Sequence, residues 1–340
     1  MKKWLLTNVL SLTLLSTPLV TIACQKEKKD EEKPLSNNSY LKKVKSDKQF
    51  QNNKNIQNLL NLFEKDKNKQ DQLVNNQNNF PDAMFKELSY AMEFFPPFLI
   101  QNSDLWNDFQ RIIQKSKGVV VETLTKNWYW YLKNIEKFVF TYNPYGDNYG
   151  GELFDENRFW NVKKILNGFS LKLNSNVIQD IVKLPWYNEK LNEYKTLDER
   201  EVYYLIIDTN KAVGLYTWKQ NGETKFYIAP DVLYFNQAKN INETKQEIAN
   251  LNELITNQII KSSEKWLNYE ILLEDQPYNM SEEEFKESYK KKFYAKRNDA
   301  SFIKPFNNHA YAEIINQALE TYNQEDFKAI RLTWRTIDEK

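Results

Sequence analysis

Val202-Tyr203-Tyr204-Leu205-Ile206-Ile207, then Ala212-Val213-Gly214-Leu215-Tyr216-Thr217-Trp218, then Phe226-Tyr227-Ile228 is the stretch on which the fold turns. β-Branched and aromatic residues dominate each run, the composition that suits a pleated, half-buried surface. Asp208-Thr209-Asn210 breaks the first run from the second, and Lys219-Gln220-Asn221-Gly222 breaks the second from the third. Asn-Gly is the pair that a type I′ hairpin turn requires, so the stretch predicts an antiparallel meander near residues 201–230.

Outward from the meander the apolar spacing becomes helical. Upstream, Ile56, Leu59, Leu60 and Phe63 mark a short amphipathic helix, followed by a polar break at 65–72. Phe80-Pro81-Asp82 opens a second helix, with Pro in its first turn and a stripe of Met84, Leu88, Ala91, Met92 and Phe95 ending at Pro96-Pro97. Ser103 can cap a third, carrying Leu105, Trp106, Phe109 and Ile113. Residues 119–142 stay open between two readings. Leu124, Trp128, Tyr131, Leu132, Ile135, Phe138, Val139 and Tyr142 form a helical stripe, yet they are the residue types that strands prefer. Helix is the favoured reading.

Downstream, Ile241, Ile248, Leu251, Leu254, Ile255, Ile259, Trp266, Leu267 and Ile271 describe one long amphipathic helix, with a candidate break at Lys261-Ser262-Ser263. Ser281 followed by Glu284 is a capping box opening a helix through Tyr294. Residues 309–322 and 325–336 read as two more helices. The expected fold class is therefore α+β, mostly helical, with a small antiparallel β-meander near residues 201–230. Residues 56–340 are expected to be globular, with a division into 56–200 and 201–340 as an open alternative.

Composition narrows the function classes. Lys and Arg number 47 against 46 Asp and Glu, a net charge of +1. A near-neutral chain lacks the basic field that displaces counterions from a phosphate backbone, which argues against a nucleic-acid partner. Lys290, Lys291, Lys292, Lys296 and Arg297 form a local basic run, which reads as a solvated helix face. With 20 Tyr, 20 Phe and 9 Trp the chain can build a large core, while its 7 Gly and 10 Pro disfavour a tight-turned sandwich.

The N-terminus gives an address. Met1-Lys2-Lys3 is a short basic region, residues 4–23 are largely apolar, and Thr21-Ile22-Ala23-Cys24 ends the segment with a small residue directly before a cysteine. This predicts a signal peptide at 1–23, cleavage between Ala23 and Cys24, and lipidation (palmitate among the acyl chains) at Cys24. Two acyl chains, at about 0.8 kcal/mol per buried methylene, anchor stably where one does not. An uncleaved membrane-spanning helix is the competing reading, weakened by Thr7, Asn8, Ser11, Thr13, Ser16, Thr17, Pro18 and Thr21. Cleavage would remove Lys2 and Lys3, leaving 45 basic against 46 acidic groups. Residues 24–55 are mixed in charge and poor in apolar groups, and are expected to be a flexible tether of about 30 Å r.m.s. span, or a shorter one if the first helix begins as early as Tyr40. Cys24 is the only cysteine, so no disulfide, cysteine-ligated metal or thiol nucleophile is expected.

Motifs for catalysis are missing. There is no phosphate loop, dinucleotide fingerprint, nucleophile elbow or zinc-protease helix. His309 is the single histidine and reads as a surface or capping residue. Glu152, Asp155 and Glu156 match no calcium-loop spacing, and no cofactor or metal is expected. The distinctive run is Trp128-Tyr129-Trp130-Tyr131, then Phe138 to Tyr142, then Asn143-Pro144-Tyr145-Gly146-Asp147-Asn148-Tyr149-Gly150-Gly151. Four adjacent rings cannot all face one way, so at least one must point outward or into a second layer. Two readings stay open. In the favoured one most of these rings pack inside and the loop merely turns the chain. In the other, rigid amphipathic rings beside adaptable polar groups form a recognition surface, with Tyr142, Tyr145, Asp147, Asn148 and Tyr149 as the candidate binding residues.

The Ala23-Cys24 boundary, the Lys- and Asn-rich tether and the aromatic run at 128–149 resemble surface lipoproteins of mycoplasma-type, wall-less bacteria. The aromatic run in particular is similar to their aromatic cluster and aromatic motif membrane proteins. The resemblance implies a lipid-anchored protein on the outer face of the cell membrane. The expected function is non-enzymatic binding of a host protein, glycan or membrane partner. A carboxylate-dependent hydrolase and a transporter-associated solute-binding lipoprotein are the alternatives.

Overall fold

The computed structural model describes residues 47–94, 110–142, 169–185, 201–220, 223–296, 309–324 and 326–337. Ala23, Cys24, Tyr145, Asp147, Asn148, Tyr149 and the Asn221-Gly222 turn lie outside the described residues.

The meander is the middle of a larger sheet. Its strands are β4 (Glu201–Ile207), β5 (Lys211–Gln220) and β6 (Glu223–Phe235). Cross-strand pairs such as Tyr204 with Gly214 and Leu215 with Ile228 set the register. Four further strands join them: β1 (Phe138–Tyr142), β2 (Ser170–Lys172), β3 (Ile178–Pro185) and β7 (Ala329–Ile337). The order is β2-β1-β7-β6-β5-β4-β3, with every neighbouring pair antiparallel. This seven-stranded sheet overturns the expectation of a mostly helical body with a small meander.

The error traces to two segments. Residues 326–337 carry β7, where a helix was expected. Ile330, Leu332 and Trp334 alternate with Arg331 and Thr333, a period of two that buries both faces of a central strand. Residues 119–142 do not hold one helical stripe. Helix ends at Thr125, restarts at Trp128, stops at Lys133, and gives way to strand at Phe138. Asn127 and Asn134 sit at the two breaks, and the β-branched and aromatic run after them goes to the sheet.

The helices of the described residues include α1 (Lys54–Phe63), α2 (Lys67–Asn78), α3 (Ala83–Phe94), α4 (Gln110–Thr125), α5 (Trp128–Lys133), α6 (Ile241–Leu273), α7 (Glu282–Lys296) and α8 (His309–Tyr322), and residues 47–51 are helical as well. The polar stretch at 65–72 was expected to break structure, but Asp66 caps α2 there, its carboxylate accepting from the amides of Asn68 and Lys69. The long helix predicted from Ile241 runs unbroken through Lys261-Ser262-Ser263. The capping box is present: Ser281 Oγ accepts from the Glu284 amide at 3.2 Å, and the Ser281 amide donates to Glu284 at 2.9 Å.

Each face of the sheet has its own helices. Leu205, Val213, Val232 and Leu332 are cross-strand neighbours on one face. Trp334, two residues beyond Leu332, meets α5 on that side. On the other face Tyr204 donates to Asn252 of α6 at 3.1 Å, and Asp180 pairs with Lys245 of the same helix. α8 packs along α6 and against β7. At Gly214 an added Cβ would lie 2.9 Å from the Tyr216 hydroxyl, so the bare backbone is what lets that ring lie over β5.

Two expectations about boundaries change. Of the two readings of the tether the shorter one fits: residues 47–51 are helical, Phe50 is 4% exposed and Asp47 pairs with Lys133 at 2.7 Å. The folded body thus includes residues before Ile56. Residues 46–340 also form a single unit, because β1, β2 and β3 share the sheet with β4 to β7.

Candidate functional site

The aromatic run is the natural place to look, and α5 is its centre. Successive residues on a helix step by about 100°, so four in a row sweep about 300° around its axis. Burying all four therefore needs neighbours on nearly every side. That is what surrounds α5: Trp128, Tyr129, Trp130 and Tyr131 are each 3% exposed or less. The rings go into several layers rather than outward.

Each ring has its own counter-surface. Trp128 meets Phe63 edge-on at 5.0 Å between centroids and Phe226 of β6 at 6.4 Å. Tyr129 meets Phe50 at 5.3 Å, and Trp130 meets Phe85 at 4.7 Å. Tyr131 faces the sheet, with Phe138 and Trp334 at 5.1 and 4.9 Å. Aromatic pairs like these add about 0.5–1.5 kcal/mol each beyond area burial.

Several polar atoms of this region are also committed. Trp334 Nε1 donates to the Tyr131 hydroxyl at 2.9 Å. Gln77, 5% exposed, bridges the break between α4 and α5: its amide nitrogen donates to the Lys126 carbonyl and its oxygen accepts from the Trp130 amide, both at 2.8 Å. Asn134 caps the other end through the Trp130 carbonyl at 2.8 Å. Burial pushes the Tyr129 and Tyr131 phenols well above the usual tyrosine range, so both stay neutral. This cluster is a scaffold.

The strand that follows leads to the candidate binding residues. Phe138 and Phe140 of β1 are fully buried, and Phe138 stacks on Trp334 at 4.9 Å. Tyr142 ends the strand half-buried, its amide donating to the Phe169 carbonyl at 3.2 Å. Burial, and then the negative charge of Glu320, push its phenol up to about 12. Of the five candidate residues only Tyr142 is described, at the root of the segment that carries the other four.

Two polar features were not found by sequence reasoning. Asp231 of β6 and Arg331 of β7 form an ion pair at 2.9 Å with both side chains 5% exposed, and Thr333 donates to the same carboxylate at 2.8 Å. Nothing in the local sequence marks this pair, because its members lie a hundred residues apart. The second is an open groove of about 570 Å³ between the start of α1 and β3. Asn53, Asn55, Asn58, Gln179 and Asp180 line it, and the Asn53 and Asn55 amides donate to the Ile178 carbonyl at 3.3 and 2.8 Å. The Lys245 ammonium on Asp180 holds its carboxyl below the usual carboxylate range. The density of Asn in residues 52–58 was the available signal.

Among the described residues, no group of three or more His, Cys, Asp or Glu could hold a metal ion, and no helix is long and apolar enough to cross a membrane. No curated protein and no solved structure matches the chain. A family model for the aromatic cluster surface protein does match, over residues 28–278 and hence well over half of the sequence, and the chain belongs to that family.

Proposed function

We propose that this surface protein is held on the outer face of the membrane of a wall-less bacterium by lipid on Cys24, and that it acts there as a non-enzymatic binding protein. Membership of a surface-protein family supports the address, and the basic, apolar, Ala23-Cys24 sequence of the N-terminus supports the anchor. The observation that carries the binding reading is the path of β1. Buried Phe138 and Phe140 fix a rigid root, and at Tyr142 the chain enters a stretch dense in Tyr, Gly, Asp and Asn. Stacking on Tyr145 or Tyr149, with hydrogen bonds from Asp147 and Asn148, suits a saccharide or peptide.

Two experiments test the halves of this reading. Cys24→Ser abolishes labelling by radioactive palmitate and moves the protein from the detergent phase to the aqueous phase; retention in detergent would refute the anchor. Tyr145→Ala combined with Tyr149→Ala abolishes binding on a glycan or host-protein array while leaving thermal unfolding unchanged. Unfolding at markedly lower temperature would instead make those rings core.

A further inference from the structure

Six large apolar side chains are exposed among the described residues, and four of them, Tyr269, Leu272, Leu273 and Tyr278, fall between residues 269 and 278. They mark the place where α6 outruns the body. Ile248, Leu251, Ile255, Ile259 and Leu267 are buried along its length, but beyond Leu267 no described residue of the helix is buried. Leu272 is 82% and Leu273 68% exposed, on the last turn.

The tip is built, not frayed. Met280 N donates to the Pro277 carbonyl at 3.1 Å and Gln276 Nε2 to the Met280 carbonyl at 2.8 Å. The Ser281 capping box then starts α7, which folds back so that the Tyr289 hydroxyl lies 3.4 Å from carboxylate oxygens of both Glu270 and Glu274. Ordered backbone thus holds leucine and tyrosine in water, where each exposed apolar group forgoes the transfer energy that burial would give.

Charge chooses the occupant. Residues 266–285 contain Glu270, Glu274, Asp275, Glu282, Glu283 and Glu284 and no Lys or Arg, in a chain of net charge +1. Lys286, just past this run, pairs with Glu282, and the five other carboxylates around the apolar tip oppose contact with anionic headgroups. They equally oppose an isologous contact, in which the same acidic patch would meet itself. We propose that the α6–α7 tip is a docking surface for a protein that presents an apolar depression rimmed by Lys and Arg. Leucine and tyrosine supply the desolvated centre of the contact, and the acidic rim supplies steering and register. The proposal rests on other residues than the reading built on the segment that follows Tyr142, and stands or falls independently of it.

The test uses full-length Cys24→Ser protein and a fluorescent amphipathic helical peptide of leucine and lysine, with a leucine–glutamate peptide as its counterpart. The chain binds the lysine peptide and not the glutamate peptide. Leu272→Asn with Leu273→Asn weakens binding about tenfold or more, as loss of central apolar anchors does. Asp275→Asn with Glu283→Gln flattens its salt dependence, and Tyr145→Ala with Tyr149→Ala leaves it unchanged. Equal binding of both peptides, or unaltered binding by the leucine variant, overturns the proposal. So does a dimer in light scattering that the leucine variant dissolves, which would make the occupant a second copy. Sedimentation with phosphatidylglycerol vesicles that the same variant abolishes would make it lipid, and would overturn the proposal too.

Discussion

The aromatic cluster on α5 and the tip of α6 are made of similar material and meet opposite fates. Trp128, Tyr129, Trp130 and Tyr131 are at most 3% exposed, whereas Tyr269, Leu272, Leu273 and Tyr278 are at least 54% exposed. Local composition does not separate them. What does is counter-surface from distant parts of the chain: Phe50, Phe63, Phe85, Phe226 and Trp334 close around α5. No comparable set of rings covers the end of α6 among the described residues. A run of rings is therefore a statement about available burial. Whether it becomes scaffold or surface is decided by topology.

The comparison breaks most sharply at Trp334. Its ring is fully buried, stacks on Phe138 and reaches the Tyr131 hydroxyl. Trp334→Ala should cost about 3–5 kcal/mol, from lost transfer energy and the cavity left behind. Urea denaturation measures it, and a loss under about 1 kcal/mol would mean that the cluster is not the principal core. The buried ion pair behind it comes next. Asp231→Asn leaves the Arg331 charge desolvated without its counterion, a loss of about 3 kcal/mol. Asp231→Leu combined with Arg331→Met should recover most of that, since an apolar pair of similar volume removes the stranded charge. A double variant as unstable as the single one would show that the pair's geometry, not its desolvation, dominates.

These two sites also mark the limit of what the residues disclose in order. β4, β5 and β6 were legible because their strand signal is local: β-branched and aromatic runs punctuated by polar breaks. The Ser281 capping box and the long α6 were legible for the same reason. β7 was not, although Ile330, Leu332 and Trp334 alternate. Arg331 and Thr333 between them look like the solvent side of a helix until Asp231, from another strand, explains how an arginine can be inside. β3 and β2 are short or polar and pair at the sheet's two edges, where packing asks least of sequence. Of the candidate site, the aromatic run was visible and its packing inside was the favoured of two readings, but which rings cover it was not legible, since they come from five separate segments.

Between core and surface lies Tyr142, and its titration sharpens the boundary. The phenol moves from an ordinary 10.0 to about 12 because burial, and then Glu320, disfavour the tyrosinate. The folded state thus keeps its proton more tightly than the unfolded chain. Its contribution to stability is complete below about pH 10 and fades as the pH climbs through about 12. Tyrosinate absorbance of the wild type minus that of Tyr142→Phe should show a single step near pH 12. A difference step at pH 10 would put Tyr142 in water and free it to act in binding without any cost of exposure.

The smallest effect is the most discriminating. Leu272→Asn with Leu273→Asn should change the unfolding free energy by less than about 0.5 kcal/mol, because both side chains already sit in water. Asn has a weaker helix propensity than Leu, but the two positions lie on the last turn of α6, where few following residues depend on their helical geometry. A loss near 2 kcal/mol would mean that the leucines pack against the chain's own body, and the contrast between tip and cluster would vanish. Near-zero change in denaturation, from the same pair of substitutions that removes peptide binding, separates a surface kept for a partner from one kept for the fold.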